Sequence, residues 1–198
     1  YGVVKETPSG TVLKKGDITA NEVAIQDKLA GVPGVPKVLG VQYTGGPNKS
    51  GERPGLIEME KASGRSISDL LSNNFKPSKE EASAILDNYV QMRKELHTRG
   101  VSHGDMHDAN VTWDGKRMGV IDFGNSKDSY KAALGEALGT QGVNHAKYFK
   151  EDMEKFGAAS PKEARFQQNV ARVKERASNP DLTESEAQTL LGELYDGI

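Results

Sequence analysis

The chain has 198 residues, of which 35% are hydrophobic and 27% charged, with a net charge of −2. This is a soluble globular composition without the basic excess that suggests a nucleic-acid partner, and no apolar run approaches the ~20 residues of a membrane span. Cysteine is absent and the four histidines lack spacings such as H-E-x-x-H, which excludes disulfides and thiolate chemistry and argues against a zinc site.

A chain of this length suits one domain or two small lobes, burying roughly 70% of its unfolded surface. No signal-type hydrophobic region opens it, and it shows no internal repeat. Residues 1–7 and 11–15 read as two strands joined by the turn Pro8-Ser9-Gly10. A helix opens at Thr19 and ends near Gly31, where Gly-Val-Pro-Gly-Val-Pro breaks it. Thr19-x-x-Glu22 has the form of a capping box, in which Glu22 satisfies the Thr19 backbone N–H. Residues 38–43 form a candidate strand, 45–55 a polar loop, and 56–62 another strand, followed by a short helix at 66–71.

Pro77-Ser78-x-x-Glu81 opens a long helix that stops at Gly100. Its Ala82, Ile85, Tyr89, Met92 and Leu96 fall on one apolar stripe, which marks a core face. Beyond residue 125, helices are predicted at 130–138, 144–156, 161–177 and 183–195. Ser160-Pro161-x-Glu163 and Thr183-x-x-Glu186 mark two of the starts.

Between the long helix and the C-terminal helices lies His103-Gly104-Asp105-Met106-His107-Asp108-Ala109-Asn110, then Val-Thr-Trp, a turn at Asp114-Gly115, and Met-Gly-Val-Ile leading to Asp122-Phe123-Gly124. Asp-Gly between apolar stretches is a hairpin signal. Folding the strands back brings Asn110 and Asp122 within about two strand positions, on the order of 7 Å. An amide oxygen and a carboxylate at that separation can share a hard cation such as Mg²⁺. Asp105 belongs to the same loop, so an Asp base and Asn and Asp ligands are placed together, as phosphoryl transfer needs.

This stretch resembles the protein-kinase pattern H-R-D-x-x-x-x-N followed by D-F-G. The resemblance implies an α+β, two-lobed fold, with a small antiparallel sheet lobe (residues 1–61) and a reduced helical lobe (62–198) forming one domain. It also implies ATP and Mg²⁺ as cofactors. Asp105 becomes the catalytic base, and Asn110 and Asp122 the metal ligands. Tyr1-Gly2-x-Val4 matches the tail of the kinase glycine-rich loop, which places Gly2 and Val4 at the nucleotide. Val12-Leu13-Lys14 resembles the strand whose lysine grips the phosphates. Strand alternation puts Val12 on the same face as Lys14, whereas a choice of Lys15 puts the bulkier Leu13 over the adenine. Glu22 then has a second role, pairing with Lys14, that competes with the helix cap. Met59 takes the gatekeeper position, and the backbones of Glu60 and Ala62 meet the adenine edge.

His103 is expected to pack under Phe123-Gly124. His107 stands where kinases carry a lysine toward the transferred phosphate, and either donates to the γ-phosphate or holds the loop. It also makes the loop similar to the H-G-D-x-H-x-x-N loop of aminoglycoside and choline phosphotransferases. Gly104 replaces the kinase arginine that pairs with a phosphorylated activation loop. No A-P-E follows, and an enzyme without that switch is the expectation.

Within the kinases, the short chain most resembles the HopBF family of minimal effector kinases that bacterial pathogens inject through type III secretion. That resemblance implies a Ser/Thr protein kinase acting as a monomer in the host cytoplasm on the host ninety-kilodalton heat-shock chaperone, with no nucleic-acid or membrane partner. Two alternatives stand beside it: a small-molecule phosphotransferase, and an effector kinase activated by ubiquitin-conjugating enzymes.

Overall fold

The computed structural model describes residues 3–198. Gly2, a candidate nucleotide-binding residue, lies outside the described residues. The first half is a four-stranded antiparallel sheet in the order β1-β2-β4-β3, built from β1 (Val3–Glu6), β2 (Thr11–Ile18), β3 (Val38–Tyr43) and β4 (Arg53–Glu60). Its register sets Lys14 opposite Val4 and Ile57, and Val12 opposite Met59. One strand runs further than its sequence suggests. Arg53, Pro54 and Gly55, expected in a polar loop, extend β4 because β2 continues to Ile18 and pairs with all three.

Helix α1 (Ala20–Lys28) leaves β2 through Thr19, whose hydroxyl accepts from the Glu22 N–H at 2.9 Å. The breaker that follows runs against the second half of the molecule: Gly34 O accepts from Val120 N at 2.9 Å. Gly34 has φ +86°, and a Cβ there would overlap the Met118 carbonyl oxygen, so only glycine permits this approach.

After β5 (Arg65–Ser66) and α2 (Ile67–Ser72), helix α3 (Lys79–His97) buries its whole predicted stripe. Its Ser78 cap accepts from Glu81 N, while the Glu81 carboxylate takes the Trp113 indole N–H at 3.2 Å. Strand β6 (Val101–Ser102) leads into the loop of interest. Strands β7 (Val111–Trp113) and β8 (Met118–Val120) form the hairpin, closed by the Asp114 carboxylate accepting from Lys116 N and Arg117 N. Two short ladders absent from the sequence reading tie this region down. β5 pairs with β7, and β6 pairs with β9 (Lys127–Asp128), fastening the chain on both sides of the loop.

Helices α4 (Tyr130–Leu138) and α6 (Pro161–Ala177) have the predicted bounds. Helices α5 (His145–Glu154) and α7 (Glu184–Leu194) begin one residue later than predicted, because Asn144 and Thr183 are the capping residues outside them. Two cores result. One packs α1, α3, α5 and the hairpin around Tyr89, Leu96 and Phe123; the other packs α4, α6 and α7 around Phe166, Leu191 and Tyr195. The architecture is thus α+β with a sheet half and a helical half. Among the described residues no helix is long and apolar enough to cross a membrane.

Candidate active site

The loop between β6 and β7 is held from below by neutral, buried contacts. His103 is fully buried and lies against the Phe123 ring at 5.0 Å between centroids. Its Nε2–H donates to the Ile121 carbonyl at 3.0 Å, and its Nδ1 accepts from Asp105 N at 3.3 Å. Burial favours the uncharged ring and holds its pKa below the ordinary histidine value. The Tyr89 hydroxyl donates to the Met106 carbonyl at 2.8 Å.

A second anchor comes from Glu136 on α4, which the sequence reading did not single out. Its carboxylate accepts from His103 N at 2.7 Å and from Gly104 N at 3.0 Å. The His97 Nε2–H reaches the same carboxylate at 3.2 Å, and the His97 Nδ1 pairs with the Tyr195 hydroxyl at 2.7 Å. Burial works to raise the Glu136 pKa, but the His97 imidazole outweighs it and holds the carboxyl well below the usual range, at about 2. Gly104 fits here because it has φ +80° and a Cβ would stand 2.5 Å from the Asn125 carbonyl oxygen.

The hairpin brings Asn110 beside Ile121, whose N–H donates to the Asn110 carbonyl at 2.9 Å. The Asn110 amide N–H₂ is tied to the Asp105 carbonyl at 2.9 Å, which turns its amide oxygen away from the loop as an acceptor. Asp122 follows with φ +64°, a left-handed conformation that Asp tolerates better than most residues. From there its carboxylate meets the Lys14 ammonium at 3.1 Å. Lys14 also pairs with Glu22, whose side chain is 3% exposed. The Glu22 carboxylate therefore goes to Lys14 and not to the Thr19 N–H; of the expected capping box only the Thr19 hydroxyl accepting from Glu22 N is formed. Burial disfavours the Lys14 ammonium, yet Glu22 and then Asp122 outweigh it, so Lys14 titrates above an ordinary lysine. Asp122 is pushed down by the same contact, against the opposing effect of burial.

These residues surround a cleft of about 440 Å³, within the range of ligand sites. Val4, Val12, Met59 and Ile121 supply apolar walls, and Lys14, Glu22, Asn110 and Asp122 the polar end. Glu60 and Ala62 lie on the rim. The Glu60 N–H is already taken by the Lys37 carbonyl at 2.9 Å, so of its backbone groups only the carbonyl is a candidate for the adenine edge. Lys15 does not line the cleft; Lys14 does.

Asp105 and His107 stand outside this lining, on the neighbouring face of the loop. The His107 Nδ1 accepts from Ala109 N at 3.1 Å, and its Nε2 lies 3.3 Å from the Asn110 amide nitrogen and 3.5 Å from Asp105 Oδ1. Two residues not singled out from the sequence also reach Asp105: the Asn125 amide, 3.4 Å from Oδ2, and His145 on α5, 3.4 Å from Oδ1. Glu136 had a faint signal, as the one acid in a helix whose other charged residue is Lys131 at its start. His145 had none.

Residues 41–130, a little under half of the chain, match the model of a phosphotransferase enzyme family, APH. The matched stretch begins within β3, covers β4, α2, α3, the loop and the hairpin, and excludes Lys14 and Glu22. A search of curated proteins gives no match. With the sheet half and the helical half described above, the match gives the chain an α+β, two-lobed kinase-like fold.

The donor chemistry fits a hard divalent cation. Asn110 and Asp122 offer one amide oxygen and one carboxylate, and among the described residues no group of three or more His, Asp or Glu forms a closed cage. A cation held here therefore takes its other ligands from phosphate and water, which is how Mg²⁺ is usually bound.

Proposed function

We propose that the chain is a phosphotransferase that moves the γ-phosphate of ATP to a hydroxyl group. The observation that carries this reading is the Lys14 ammonium bridging Glu22 and Asp122 at the polar end of an apolar cleft. Lys14 neutralises phosphate charge, and Asn110 and Asp122 hold Mg²⁺, which supplies electrostatic stabilisation of the transferring phosphoryl group. Asp105 takes the acceptor proton, and His103, Tyr89 and Glu136 keep the loop in place.

The acceptor is a protein Ser or Thr hydroxyl in this reading. Val143 and Tyr148, two residues before and three after His145, are exposed apolar side chains of a kind that a polypeptide can cover. The ninety-kilodalton chaperone implied by the HopBF resemblance is the first acceptor to test, with the host cytoplasm as the site of action. A second reading, a small-molecule phosphotransferase, is favoured by the family match over the loop itself.

The test is phosphate incorporation from labelled ATP and Mg²⁺, with purified chaperone, an aminoglycoside or choline as acceptors and Asp122→Ala as the control. Transfer to the chaperone that is lost in the control supports the protein-kinase reading. Release of ADP that depends on the small molecule moves the conclusion to the second reading. If wild-type protein releases no ADP in any arm, the phosphotransferase reading fails.

A further inference from the structure

We propose that His145 is a positioning residue for Asp105, a reading that rests on Asp105 being the base. Its Nε2 lies 3.4 Å from Asp105 Oδ1, and His107 Nε2 lies 3.5 Å from the same oxygen. The two rings face each other at 5.5 Å between centroids. One carboxylate oxygen thus faces two imidazole nitrogens, at separations longer than an ordinary hydrogen bond. The other, Oδ2, is left for the acceptor hydroxyl with the Asn125 amide at its edge. Contacts of this length in a ligand-free site are expected to tighten once substrates are bound.

The placement of His145 has no simpler structural explanation. Asn144, not His145, caps α5, accepting from Lys147 N at 3.0 Å. Packing of α5 is done by Phe149 and Met153, and Phe149 stacks on Tyr89 at 3.9 Å and 8°. Tyr89 is also the residue whose hydroxyl holds the Met106 carbonyl, next to Asp105. One aromatic ring therefore fixes both the helix that delivers His145 and the loop that carries Asp105. His145 is absent from the cleft lining, as are Asp105 and His107.

In the transfer step the acceptor O–H bond breaks and its oxygen bonds to the γ-phosphorus. The bond from the γ-phosphorus to the bridging oxygen breaks, with its electron pair leaving on ADP. The proton passes to Asp105 Oδ2. His145 neither gains nor loses a proton; it holds the carboxylate where Oδ2 meets the hydroxyl. Small misplacements of a reacting group cost large factors in rate.

The test measures ADP release from ATP and Mg²⁺ by the full chain, which counts transfer to water, to the chain itself or to an added acceptor alike. His145→Ala is expected to lower kcat about ten- to a hundredfold with the KM for ATP unchanged. His145→Gln, which returns an N–H near the Nε2 position, should recover most of the loss, and free imidazole should recover part of it in the Ala variant. Wild-type kcat in His145→Ala overturns the proposal. A loss accompanied by a raised KM for ATP, or one that neither glutamine nor imidazole restores, overturns it as well. Asp105→Asn is run in parallel. Full activity there removes Asp105 as the base, whereas an inactive Asp105→Asn beside a fully active His145→Ala removes only the role of His145.

Discussion

The two walls of the cleft are held in different ways. On the sheet side, Lys14, Glu22 and Asp122 are aligned by attraction among charges, with the Asp122 side chain about half exposed. On the helical side, the loop is aligned by buried groups beneath it: the Tyr89 hydroxyl, the His103 ring and the Glu136 carboxylate on two backbone N–H groups. Charge contacts in a partly solvated cleft tolerate small displacements, whereas directional hydrogen bonds in a packed core do not. In the proposed phosphotransferase, a site that admits and releases a nucleotide while keeping its base fixed benefits from that asymmetry.

The comparison can be broken most severely at the base. Asp105→Asn should cut ADP release by about 10²–10⁴-fold while leaving the melting temperature nearly unchanged, since the side chain is about a third exposed. A large drop in melting temperature would place Asp105 among the structural anchors instead.

Glu136→Gln tests the rigid wall. The Glu136 carboxylate accepts from two backbone N–H groups and from His97, and losing charge-assisted contacts of this kind costs about 1.5–3 kcal/mol. The melting temperature should fall by about 3–12 °C. The sign with pH follows from the direction of the shift. The folded pKa lies below the ordinary 4.5, so this stability is complete above that value and is lost as pH falls through about 2. His97, held by burial below its ordinary 6.5, adds a loss of the same sign as pH falls below that value. Thermal melts between pH 2 and 7 should show a flatter acid limb in Glu136→Gln than in wild type; identical limbs would exclude Glu136 as the source.

Glu22→Gln sharpens the contrast from the sheet side. Losing a charge-assisted contact of about 1.5–3 kcal/mol should lower kcat/KM for ATP roughly ten- to a hundredfold. The melting temperature should move less than in Glu136→Gln, because Asp122 remains as a partner for Lys14. A larger thermal loss than that of Glu136→Gln would reverse the assignment of the adjustable wall. Smallest is Tyr89→Phe, which keeps the stack on Phe149 and loses one hydrogen bond to Met106. It should cost about 1–2 kcal/mol by chemical denaturation, and a neutral result would show that the hydroxyl does not anchor the loop.

The same contrast governs what the sequence revealed. Asp105, Asn110 and Asp122 were legible because a hairpin with an Asp-Gly turn fixes their spacing locally. Lys14 was legible through strand alternation, since Val12 shares its face and both line the cleft. The helix starts were legible because Ser and Thr caps act within three residues. The extension of β4 through Pro54 was hidden, since its cause is the length of β2 on the far side of the sheet. Glu136 and His145 were hidden for a related reason. Each acquires meaning only when α4 and α5 dock against a loop some 30 to 40 residues earlier in the chain. Sequence spacing carries no trace of such docking.

The close passage at Gly34 has a mechanical consequence. Its carbonyl is bonded to Val120, two residues before Asp122, so the segment that follows α1 pulls directly on the strand that ends in that carboxylate. Any displacement of the segment after α1 relative to the hairpin must stretch or break that bond, which couples the sheet half to the position of Asp122. The breaker that ends one helix acts as a tie rod between the two walls.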